Sequence, residues 1–339
     1  MTLEKASFAM LSRVAESIYW MARYVERAEN TARFIDVTLN VILDQPENTN
    51  QQWDPLVQTT GDVEFFREHY GDSTPENVLR FLTFDAEYPN SILSSLNAAR
   101  ENARTVREAI SSEAWEQLNT FYHFVKRAAS NGRLTGPAQI DFYQEVKQHS
   151  HLFNGILDAT LPRGKGWHFA NLGRLIERAD KTSRILDVKY FTLLPHAYDV
   201  GTTLDDLQWS AVLRSVSAFE AFRKRYHTIT VHRVVEFLVL DGRFPRAISF
   251  CVNWANDSVH QIVGSPLGAY RNEPEQRLGR LRAELVYADV DSIINRGLHE
   301  VVDDLQRQLN DVGSAIHETF FAMRPVEQIQ ATQVQQQYQ

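Results

Sequence analysis

Along most of the chain the apolar residues recur at three- and four-residue spacings, the signature of amphipathic helices. No run shows sustained two-residue alternation with β-branched enrichment. The breaks fall where Gly and Pro do. Thr74-Pro75-Glu76, Tyr88-Pro89 and Gly136-Pro137 each place Pro near a first helical position, where its missing N–H is no loss. The pattern predicts an all-α helical bundle of about a dozen helices. The C-terminal QATQVQQQYQ has no periodicity, and residues 326–339 read as a disordered Gln-rich tail.

One helical pattern is written twice. YVERAENTARFIDV (24–37) returns as LIERADKTSRILDV (175–188), an offset of 151 that carries Arg23, Glu26, Arg27, Ala28, Thr31, Arg33 and Asp36 onto identical residue types. Further on, an offset of 156 aligns Trp53 with Trp209, Phe66-Arg67 with Phe222-Arg223, Tyr70 with Tyr226, and VLRFLTFDAEYPNSI (78–92) with VVEFLVLDGRFPRAI (234–248). Register held this long indicates duplication. The expected architecture is two tandem homologous helical repeats, 8–158 and 163–325, joined by LPRGKGW and packed with pseudo-twofold symmetry.

On a helical wheel Met21, Tyr24, Val25, Ala28, Ala32, Ile35 and Leu39 form the core face of the first copy. Arg23, Glu26, Arg27, Asn30 and Arg33 spread over the other side; Arg174, Glu177, Arg178, Lys181 and Arg184 do so in the second. A solvated face drifts after duplication, as Asn30/Lys181 and Phe34/Ile185 have; the Arg/Glu positions have not. Two constraints explain that. The stripes meet as a buried Glu/Arg network, or they line a cleft where Arg23, Arg27, Arg33, Arg174, Arg178 and Arg184 grip an anion, with Glu26 and Glu177 as acid/base groups.

A second stretch, LNAARENARTVREAISSEAWEQLN (96–119), places Arg100, Arg104, Arg107 and Ser111 on one helical stripe, a further candidate anion site beside Glu101 and Glu108. The second copy reads VNWANDSVHQIVG here and lacks it. Arg163-Gly164-Lys165-Gly166-Trp167 has no P-loop spacing and reads as a linker. Asp85 and Asp241, before Tyr88-Pro89 and Phe244-Pro245, read as turn formers. His149 and His151 face different ways on a helix and make a poor metal pair. No metal site or cofactor is expected.

Composition changes the picture little. Over 339 residues, 43% hydrophobic and 23% charged is the profile of an ordinary globular protein, and the net charge of −8 disfavours nucleic acid and anionic membrane. Cys251 is the one cysteine, which forbids an internal disulfide and fits a reducing compartment. No segment reads as a signal or membrane span, so a cytoplasmic location is expected.

The motifs LSRVAESIYWMARYVERAENTARFIDV, ARENARTVREAISSEAWEQLN, RGKGWHFANLGRLIERADKTSRILDVKY, WSAVLRSVSAFEAFRKRY and LGRLRAEL, in this order, resemble the Alpha-E family, bacterial all-helical proteins with a recurring Glu-Arg motif. That resemblance implies association with a circularly permuted ATP-grasp ligase and with transglutaminase-like proteins, hence a role in peptide or amide-bond formation whose nucleotide chemistry belongs to the partner. The leading expectation is a helical partner subunit binding an anionic peptide, acyl-phosphate or partner surface. A stand-alone enzyme using Glu26 and Glu177, and a pure interaction scaffold, are the alternatives; no DNA or membrane partner is expected, and a homo-oligomer is left open.

Overall fold

The computed structural model describes residues 2–43, 53–131, 136–191 and 203–322. The expected tail, 326–339, lies outside the described residues. Those described form fifteen α-helices and two π-helical turns, with no strand among them. The all-α expectation holds; the helices exceed the expected dozen because short ones punctuate the connections.

Two long helices form the centre, α1 (Thr2–Leu43) and α8 (Lys165–Phe191). After α1 come α2 (Asp54–Thr60), α3 (Val63–Tyr70), α4 (Pro75–Thr83), α5 (Ile92–Thr105), α6 (Ser112–Ser130) and α7 (Pro137–Thr160). After α8 come α9 (Thr203–Ser215), α10 (Phe219–Arg225), α11 (Val231–Val235) with a π-turn at Glu236–Leu240, α12 (Ile248–Val263), α13 (Glu273–Tyr287), α14 (Val290–Arg296) and α15 (Leu298–Ile316) with a π-turn at His317–Phe321. Helices α5 and α7 flank α1, and α12 and α15 flank α8. The short helices cross over: α2 packs on α8, and α9 on α1.

The caps follow the local sequence. Thr74 Oγ1 accepts from Asn77 N at 3.2 Å to start α4, with Pro75 at its first position, and α7 begins at Pro137. At Tyr88-Pro89 the helix starts later than expected. Pro89 sits in a turn, and Ser91 caps α5 by accepting from Ser94 N at 3.0 Å. The stretch 96–119 is not one helix. The β-branched pair Thr105-Val106 ends α5, the chain turns, and Ser111 caps α6 by accepting from Ala114 N at 3.1 Å. Arg107 and Ser111 therefore leave the expected stripe.

Close approach of α1 and α8 depends on Gly173. A Cβ there would stand 2.4 Å from the Tyr19 carbonyl oxygen, so only glycine lets the two backbones touch. The expected core face of α1 is inside: Met21, Val25, Ala28, Ala32 and Ile35 are buried, and Leu172, Leu175, Ile176, Ala179 and Leu186 answer from α8.

Candidate functional site

The charged faces of α1 and α8 are also inside. Glu26, Glu29, Asn30 and Glu177 have no exposed surface, and Arg33 is buried with them. A helix buried on its apolar stripe and on its charged one must supply every buried charge with a partner. It does so by exchange between the two helices. Glu26 receives Arg178 Nε at 2.8 Å and Nη2 at 2.7 Å; Glu177 receives Arg27 Nε at 2.7 Å and Nη2 at 3.0 Å. Both are bidentate forks, and the 151-residue offset relates one to the other.

The next shell repeats the exchange with substitutions. Arg33 binds Glu29 at 2.8 Å and donates to Ser217 Oγ in the loop after α9. Arg184 binds Asp180 at 3.0 Å and reaches the Thr59 and Thr60 carbonyls, at 3.3 and 3.4 Å, at the end of α2. Gly61 and Ser217, matched by the 156-residue offset, both hold a positive φ, 79° and 51°. Ser217 is the only such non-glycine residue described. A side-chain oxygen on one side does the work of backbone oxygens on the other.

The arrangement is unequal in one respect. Arg246, in the turn before α12, reaches Glu26 at 3.3 Å, donates to Asn30 Oδ1 at 2.9 Å and pairs with Glu29. Its offset partner Asn90 accepts from Arg27 Nη1 at 2.7 Å instead, and the cation there is Lys181, 3.0 Å from Asp180 and 3.6 Å from Glu177. Arg23 adds a bond to Glu177 at 3.0 Å, stacked over Trp20. Arg174 does not reach Glu26; it donates to Asn171 Oδ1 at 2.7 Å, and its buried Nε has no hydrogen-bond partner.

Burial alone would push all these carboxyls up. For Glu26 the Arg178 and Arg246 guanidiniums overcome it and hold the group below the ordinary range; for Glu177, Arg27, Lys181 and Arg23 hold it well below. Glu29 is held well below by Arg246, His151 and Arg33. Arg246 moves the other way, because burial outweighs acids it shares with Arg33 and Arg178, and is pushed down to about 10, still a cation at neutral pH. Carboxylates held ionised in this way are poor proton acceptors.

The second candidate set does not join the first. Arg100 donates to Asn119 Oδ1 at 2.8 Å and lies over the Trp115 and Tyr122 rings, Arg104 pairs with Glu101 at 2.8 Å, and Arg107 stacks on Trp115 at 5.0 Å. Asp85 and Asp241 close their turns as expected: Asp85 Oδ1 accepts from Tyr88 N at 3.2 Å, and Asp241 Oδ1 from Phe244 N at 2.8 Å. His149 stacks on Phe121, while His151 lies 3.2 Å from Glu29. Burial pushes the Cys251 thiol up to about 12, leaving an unreactive sulfhydryl. In a further buried cluster, Ser265 donates to Glu275 and lies 2.8 Å from His260 Nδ1. Serine and carboxylate share one ring nitrogen, so this closes a loop and is no nucleophile relay. Among the described residues no three His, Cys, Asp or Glu side chains gather as a metal would require.

Arg246, Glu29, Asp180 and Ser217 were not among the sequence candidates. The paired differences Asn90/Arg246 and Asn30/Lys181 were the available signal: each couples a neutral residue with a cation, and Arg246 and Asn30 prove to be hydrogen-bonded neighbours.

Comparison with known proteins agrees with this architecture. A family model described as a predicted alpha-helical domain with a conserved ER motif matches residues 10–321. An uncharacterized protein of Mycobacterium bovis (strain ATCC BAA-935 / AF2122/97) is 22% identical over 336 residues, covering 92% of this chain and 37% of its own length. An uncharacterized protein of Mycobacterium tuberculosis (strain CDC 1551 / Oshkosh) matches to the same extent. The chain thus spans little more than a third of these curated relatives. No solved structure matches it. With its two ER helices interlocked at the centre of an all-helical fold, the chain belongs to the Alpha-E family.

Proposed function

We propose that the chain is a helical, non-catalytic partner of an ATP-grasp-type amide ligase system, acting in the cytoplasm beside that ligase and a transglutaminase-like protein. It is built from two homologous halves, 8–158 and 163–325, packed about a pseudo-twofold axis. The observation that carries the reading is the closed Glu26–Arg178 and Glu177–Arg27 exchange. It consumes the charges of the ER motif inside the protein and leaves Glu26 and Glu177 ionised, without a free proton-transfer group between them. Such a core fixes the register of two halves and presents their outer surfaces rigidly, which suits a docking subunit. The relatives' greater length supports a module that works joined to others.

The test is retention of the ligase on tagged full-length chain, identified by mass spectrometry under gentle conditions. Recovery of the ATP-grasp protein in stoichiometric amount is expected; its absence sinks the proposal. The enzyme alternative is separated by Glu26→Gln. An acid/base role keeps the melting temperature and abolishes turnover, whereas the network role lowers the melting temperature.

A further inference from the structure

The 156-residue offset matches segment 219–243 with segment 63–87, and the two have become opposites. Segment 63–87 carries six carboxylates (Glu64, Glu68, Asp72, Glu76, Asp85, Glu87) against Arg67 and Arg80. Segment 219–243 carries five cations (Arg223, Lys224, Arg225, Arg233, Arg243) against Glu220, Glu236 and Asp241.

Their packing differs most clearly where Phe65 has no aromatic counterpart. In the first segment the Phe65 ring lies 6.1 Å from Phe81 and 5.8 Å from Tyr88, with His69 stacked on it at 4.1 Å, and Tyr88 is buried. The matching residue in the second is Ala221. The missing ring leaves an open groove lined by Ala221, Arg225, Phe237, Asp241, Arg243 and Phe244. Phe237 and Phe244 stack at 4.8 Å as its floor, and Phe244 stays half-exposed. The groove wall includes the π-turn Glu236–Leu240, where the first segment has plain α-helix; such turns gather at functional sites. Arg225 is held by Asp241, while the exposed Arg243 side chain makes no ion pair among the described residues.

We infer that this groove binds an acidic peptide segment bearing one bulky apolar side chain. The apolar group takes the place that Phe65 fills in the first segment, against Phe237 and Phe244. The flanking carboxylates meet Arg243 and Arg225 at the groove rim. The acidic first segment, with its ring in place, does neither. This site is separate from the ER network and stands whether or not an amide ligase is the partner.

Fluorescence anisotropy of the full chain with a short labelled peptide, a single Phe flanked by Glu on both sides, tests it. Saturable binding is expected, weakened at least roughly tenfold by Arg243→Glu and by Ala221→Phe, and lost when Lys replaces the flanking Glu. Phe65→Ala should leave affinity unchanged, because the opened space is rimmed by carboxylates. Circular dichroism melts establish that each variant is folded; Arg243→Glu, on an exposed residue, keeps the test decisive if Ala221→Phe fails to fold. Equal affinity for wild type and Arg243→Glu overturns the proposal, as does absence of saturable binding. Concentration-dependent self-association abolished by Arg243→Glu would overturn it too, assigning the groove to a second copy's acidic face.

Discussion

Glu26 and Glu177 are both fully buried and both ionised, yet their surroundings are neutralised from different places. Beside Glu26 and Glu29 the added cation is Arg246, delivered by a turn 220 residues away, and the helix offers neutral Asn30. Beside Glu177 and Asp180 the helix supplies Lys181 itself, and the turn offers neutral Asn90. Each cluster holds one added cation, carried by a turn in one and by the helix in the other. What is constrained is the charge inside the space, since an unpaired buried charge is far costlier than a displaced one.

The largest loss is expected at Glu177, which serves three cations, Arg23, Arg27 and Lys181. Glu177→Gln is expected to cost about 3–5 kcal/mol in chemical denaturation. Glu26→Gln should cost less, because Arg246 keeps Glu29 and Asn30. An equal loss would mean that Arg246 depends on Glu26 alone. The pH dependence carries the same information. These carboxyls ionise below their unfolded value of 4.5 in the folded protein, so their stabilisation is present above that pH and is lost as pH falls through the folded values. The melting temperature should therefore fall steeply on acidification below pH 4.5, and less so in Glu177→Gln.

Gly173→Ala probes the helix contact without touching a charge. Its methyl meets the Tyr19 carbonyl, and a loss of about 1–3 kcal/mol is expected although alanine favours helix. The offset partner is Ala22, which shows that only one helix needs to yield. Lys181→Asn should destabilise, and adding Asn90→Arg should restore about 1 kcal/mol by making the Glu177 side resemble the Glu26 side. A double-mutant cycle with no coupling would show that Asn90 and Lys181 do not share the acidic pair.

The helical class and the interior face of α1 were legible because apolar periodicity reports burial directly. That periodicity is blind to the second buried face. Glu26, Arg27 and Arg33 look solvated on a wheel; α8 covers the first two, and α7 with the loop after α9 covers Arg33. The identities shared at the 151-residue offset singled out those residues. Arg246 is not legible there because it lies in a turn and differs from its offset partner Asn90. Arg107 leaves the stripe that periodicity predicts for a local reason: Thr105-Val106 stops the helix inside an otherwise periodic run.

The exchange of partners between α1 and α8 also has a cost in time. Glu26 leaves the ribosome 152 residues ahead of Arg178. At about 5–20 residues per second that interval is roughly 8–30 s, during which α1 carries ionised groups whose partners do not yet exist. Docking α1's charged side before α8 arrives would bury Glu26 and Glu29 without Arg178 and Arg246. The nascent first half is therefore expected to keep that side in water and to complete its core only when the second half is made. Synthesis order is thereby expected to set assembly order, and a ribosome-stalled chain ending near residue 160 should show α1 open to hydrogen exchange.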